Sequence, residues 1–73
     1  MLPSEVEVTS VKDQTEFDKQ GNAIGYQLYT FSIGSHGPFY EKFYAGEQNT
    51  PAIERRINNR VQQLRELGVI KGA

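Results

Sequence analysis

The chain has 73 residues, no cysteine, one histidine and a net charge of -1. That length makes one small domain with a thin core, because only about 60% of the unfolded surface can be buried at this size. The missing cysteine excludes a disulfide framework and a thiolate metal site, and the near-neutral charge disfavours nucleic-acid binding, which draws on a clear cationic excess.

No run approaches the roughly 20 apolar residues that span a bilayer. The start, Met1-Leu2-Pro3-Ser4-Glu5, lacks the basic and apolar regions of a signal peptide. The chain therefore reads as a complete, soluble, cytoplasmic protein. Its charge is uneven: residues 1–49 carry three lysines against seven acids, whereas residues 50–67 carry four arginines against Glu54 and Glu66. An acidic sheet beside a basic helix attract one another.

Val6 and Val8 alternate with Glu5, Glu7 and Thr9, as in a half-buried strand. Val11 is out of phase with them, which suggests a bulge near Thr9-Ser10 or a strand change of face, after which Thr15 and Phe17 keep the parity of Val11. The first strand covers about 5–17. Asp18-Lys19-Gln20-Gly21-Asn22 then reads as a turn, since Gly and Asn tolerate positive φ and Asp bonds the nearby backbone.

A second strand, about 23–33, carries Ile24, Tyr26, Leu28 and Thr30 on one face and Tyr29, Phe31 and Ile33 on the other. Gly34-Ser35-His36-Gly37 is expected as a short hairpin loop. The third strand, about 38–46, begins at Pro38, where a missing donor costs little. It places Phe39, Glu41, Phe43 and Ala45 on one face and Tyr40, Lys42 and Tyr44 on the other. Short loops make neighbouring strands antiparallel, so the sheet is a β-meander.

Thr50-Pro51 reads as an N-cap followed by proline at the first helical position of a helix over about 51–67. Ile53, Ile57, Val61, Leu64 and Leu67 fall within about a 120° arc and form one core-facing stripe. Gly68 suits a left-handed C′ residue, with Val69 placed to touch Leu64 in a Schellman cap; Lys71-Gly72-Ala73 are expected to fray. The fold class is α+β, a three-stranded antiparallel meander with one C-terminal helix on one face. The apolar set Tyr29, Phe31, Ile33, Phe39 and Phe43 is the expected contact of that helix.

Catalytic chemistry finds little support. His36 stands alone between glycines, without the further ligands or base that a metal site or a nucleophile needs. Glu5, Glu7, Asp13, Glu16 and Asp18 read as a solvated strand face. Gly34-Ser35-His36-Gly37 matches a GxxG pattern that clamps RNA, but here it joins strands instead of helices. No enzyme, cofactor, metal or small-molecule substrate is inferred. The four helix arginines are scattered around the helix; Arg60 lies inside the apolar arc, so its stem can lie on the sheet and its head reach a strand carboxylate or tyrosine.

Binding is better supported. Seven of the eight aromatic residues lie between Tyr26 and Tyr44, on both parities, and one helix covers only one face. Tyr26, Tyr40, Lys42 and Tyr44 are therefore the candidate interface, for a protein partner or self-association. The alternative is that helix arginines and the N-terminal segment cover these tyrosines.

From Val8 to Leu67 the chain resembles small proteins of tailed phages and prophages, in which a hairpin with a core like His36-Gly37-Pro38-Phe39 precedes a charged helix ending like Leu64 to Gly68. The resemblance implies a role in head or tail assembly or in regulation, in the host cytoplasm or on the virion. It carries over no functional residue. Two other readings stand beside the interaction module: a DNA-binding sheet like that of phage integrase arm-binding domains, and a small inhibitor of a host protein with an acidic first strand.

Overall fold

The computed structural model describes residues 2–70. Three strands, β1 (Val6–Phe17), β2 (Ala23–Ile33) and β3 (His36–Tyr44), form an antiparallel sheet in the order β1-β2-β3, and the helix α1 (Thr50–Glu66) follows. This is the βββα meander that the period-2 and period-3.6 patterns predict.

The β1 irregularity falls where Val11 changes phase. Val8 faces Phe31 and Ser10 faces Thr30, so Thr9 is the extra residue. Its hydroxyl donates to the Thr30 carbonyl at 3.2 Å. Beyond it, Val11, Asp13, Thr15 and Phe17 share the face of Tyr29. Asp18 holds the β1–β2 turn: its carboxylate accepts from the backbone N–H of Gln20 at 2.9 Å and of Asn22 at 2.8 Å. Those bonds, Asn22 first, hold the Asp18 carboxyl below its ordinary pKa.

The β2–β3 loop is shorter than the sequence suggests. Ile33 pairs with His36, so only Gly34 and Ser35 form the connection, with Gly34 at φ +59 as a primed hairpin turn requires. His36 and Gly37 belong to β3, and Pro38 is its third residue, not its first. Both Gly37 and Pro38 lie opposite Ser32, where the register slips between Phe31–Phe39 and Ile33–His36. Proline is tolerated there because bulged positions need no ladder donor. A Cβ on Gly37 would approach the Ser32 Cα to 3.2 Å at φ +138, so this position is reserved for glycine. The Gly37-Pro38 peptide is cis.

The strand after this ends at Tyr44, before Ala45, because the Glu47 N–H turns back to the Tyr44 carbonyl at 2.9 Å. Helix α1 is capped one residue earlier than expected. Asn49 is the N-cap and its side chain accepts from the Ala52 N–H at 3.0 Å, which puts Thr50 first in the helix and Pro51 second. Asn and Thr are both good caps and proline fits either position, so the sequence leaves the choice open.

Ile57, Val61 and Leu64 are buried on Phe31, Ile33 and Phe43, with Ile53, Tyr29 and Phe39 packed alongside. The helix thus covers the face holding Tyr29, Phe31, Ile33, Phe39 and Phe43, as expected. Leu67 does not belong to that stripe; it is 68% exposed. At the C-terminus the Val69 N–H reaches the Leu64 carbonyl at 3.0 Å and the Gly68 N–H that of Arg65 at 3.1 Å, with Gly68 at φ +75: a Schellman motif. Val69 is exposed, however, and the next residue, Ile70, enters the core instead. Fraying of Lys71-Gly72-Ala73 lies outside the described residues.

Candidate interaction face

Residues opposite one another in an antiparallel ladder share a face. Tyr26 faces Tyr44, Leu28 faces Lys42 and Thr30 faces Tyr40. On the other side of β2, Gln14 faces Tyr26, Lys12 faces Leu28 and Glu16 faces Ile24. All four predicted interface residues therefore lie together on the sheet face turned away from α1. None of the fully buried core residues is among them.

The side chains of this face order one another. The Tyr26 and Tyr44 rings lie 5.9 Å apart, tilted, and the Lys42 ammonium sits 4.8 Å from the Tyr26 ring centre. The Tyr44 hydroxyl donates to Glu16 Oε1 at 2.8 Å, and Lys42 Nζ donates to the same oxygen at 3.4 Å. Tyr40 stands apart, 52% exposed, while Tyr26 and Tyr44 are half-buried by their neighbours.

The Tyr44 hydrogen bond, with the Lys42 ammonium second, holds the Glu16 carboxyl below its ordinary pKa. Glu16 in turn raises the pKa of Tyr44 and that of Lys42, through its hydrogen bond to each. Glu16 is lowered in the folded chain, so its contribution to stability is present above its unfolded value. That contribution is lost as pH falls below the ordinary carboxylate value and through the lowered folded pKa of Glu16. Tyr44→Phe is expected to move the Glu16 midpoint upward, toward the ordinary value, in a carboxyl-carbon NMR titration. An unchanged midpoint would show that Lys42 alone sets it.

The arginines do not cover this face. Arg56 donates to the Lys42 carbonyl at 2.7 Å and pairs with Glu47, Arg60 pairs with Glu41, and Arg65 pairs with Glu5. Arg60 so behaves as its place in the apolar arc predicts. The Glu47 carboxyl is held below its ordinary pKa by the Tyr44 N–H first and Arg56 second. The Arg56–Glu47 and Arg60–Glu41 pairs line a polar groove of about 640 Å³ between β3 and α1. They also cap the outer edge of β3, where Arg56 takes a backbone carbonyl.

Glu16 is the residue of this face that sequence reasoning missed. It shares parity with Lys12 and Gln14, but its link to Tyr44 spans 28 residues and depends on the register of two strand pairs. His36 is exposed on β3, and among the described residues no group of three or more His, Cys, Asp or Glu could hold a metal ion. Among the same residues no helix is long and apolar enough to cross a membrane. Comparison with protein-family models, with curated proteins and with solved structures gave no match.

Proposed function

We propose that the chain is a non-enzymatic protein–protein interaction module whose docking surface is the sheet face carrying Tyr26, Tyr40, Lys42 and Tyr44. The observation that supports it most is the common placement of three tyrosines and Lys42 on the face opposite the helix, with Arg56, Arg60 and Arg65 engaged elsewhere. Tyrosine offers large, rigid contact area with a polar tip, which suits a surface that is wet when free and dry when bound. Tyr26 and Tyr44 are held by Lys42 and Glu16, so ordering them on binding costs little; Tyr40 provides the exposed anchor.

The similarity to small tailed-phage proteins favours an accessory or structural role, in the host cytoplasm or on the virion. DNA binding by the same sheet face is the second reading, since Lys12 and Lys42 flank Leu28 in one cross-strand row of that face. Glu16 offsets their charge, and phosphate contacts need a larger cationic excess. A photoreactive phenylalanine analogue in place of Tyr40 tests the choice: a discrete protein adduct supports the module, and an adduct removed by nuclease supports DNA.

A further inference from the structure

The two edges of the sheet differ. The outer edge of β3 carries Pro38, the Arg56 cap on the Lys42 carbonyl and the turn through Glu47. From Val11 to Phe17, β1 has no proline and no bulge, and among the described residues no strand pairs with its outer edge. Such an edge is a template for another strand. Its helix-side face also exposes Val11 (47%) and Phe17 (70%), because α1 lies over the β3 side and the β1–β2 arm runs on past Tyr26–Tyr44, the last β2–β3 pair.

We propose that this edge pairs with the same edge of a second copy, antiparallel about a two-fold axis through Gln14, to make one six-stranded sheet. An antiparallel two-fold pair brings residues of the same face together, so each possible centre is a separate test of the sequence. Centring on Lys12 or on Asp13 sets that residue against its own copy, like charge on like charge. Centring on Thr15 sets Asp13 against Phe17. Centring on Val11 brings the Thr9 bulge into the interface.

With Gln14 at the centre, Val11 lies opposite Phe17 of the second copy on the helix side, each covering the other's exposed surface. On the opposite side Lys12 lies against Glu16 of the second copy, and Gln14 against Gln14. Glu16 is prepared for this: Tyr44 and Lys42 both bond its Oε1, and its Oε2 accepts from nothing among the described residues. Within one chain Lys12 and Glu16 stand four residues apart on an extended strand, about 13 Å, too far to pair. The match between them exists only across the axis.

Sedimentation equilibrium over a wide concentration range tests this, with far-UV circular dichroism to show that each variant is folded. The wild-type chain is expected to reach twice its 8.3 kDa mass. Lys12→Glu and Glu16→Lys each oppose like charges twice per dimer and should weaken association by about tenfold or more. The double variant K12E/E16K restores opposite charges and should recover the dimer relative to E16K, which shares any clash with Lys42. A chain monomeric at every concentration overturns the pairing, as does a dimer indifferent to the charge swaps. The pairing extends the interaction-module reading to a different surface. A monomer that still yields a protein adduct from position 40 ends the pairing alone, and a swap-sensitive dimer with position 40 silent ends the tyrosine-face reading alone.

Discussion

Replacing Phe43 by alanine is expected to lower the melting temperature by about 15 °C or more, and under mild conditions to leave much of the chain unfolded. Phe43 is fully buried, its ring meets Tyr29 edge-on at 5.0 Å, and the Arg56 guanidinium lies 4.9 Å from its centre. Truncating a buried phenylalanine costs about 3–5 kcal/mol. A domain of this length has roughly 4–11 kcal/mol in total, so one such loss removes about a quarter of it or more. Tyr40→Ala is the control. Tyr40 belongs to the same strand but the opposite face, is 52% exposed, and should change stability by no more than about 0.5 kcal/mol. Thermal melts of the two variants check the face assignment; comparable losses would contradict it.

The second large effect is expected beyond the helix. Ile70→Ala should cost about 2–5 kcal/mol, whereas Leu67→Ala and Val69→Ala should each stay within about 0.5 kcal/mol. The Schellman turn at Gly68 reverses the chain and brings Ile70, 3% exposed, against the end of the core near Ile33 and Leu64, while Leu67 and Val69 stay in solvent. Urea unfolding of the three variants would measure the order directly. If Leu67→Ala proved the costliest, α1 would have to sit rotated on the sheet.

These residues also mark the limit of what a sequence reveals here. Period-2 alternation fixes which strand residues share a face, so the core set from Tyr29 to Phe43 and the tyrosine face are legible; Val11 marks an irregularity near Thr9, a bulge or a change of face, and the register decides for the bulge. A bulge leaves a parity change that any reader of the chain can see. The angle of Leu67 on the helix is equally legible, but an angle does not say where the underlying sheet stops. That depends on how far along β2 and β3 the helix sits, a tertiary quantity. The extent of the hairpin loop was hidden for a related reason: Gly34-Ser35-His36-Gly37 has turn composition throughout, and only the register shows that His36 and Gly37 are already in the ladder.

For the candidate site, legibility follows the same division. Tyr26, Tyr40, Lys42 and Tyr44 could be grouped because parity alone groups them. Glu16 could not, since five carboxylates of the first strand and turn look equivalent until two strand registers bring one beneath the Tyr44 hydroxyl. The arginines lie between these cases. Arg60 was legible from the helical arc, whereas the attachment of Arg56 to the edge of β3 needed the turn through Glu47.

The proposal that the tyrosine face binds a protein is tested most directly by comparing two photocrosslinking positions in cells, Tyr40 on that face and Arg55 on the exposed side of α1. A discrete, nuclease-resistant protein adduct from position 40, with none from position 55, is the predicted result. Adducts from position 55 alone, or a nuclease-sensitive adduct from position 40, would contradict it.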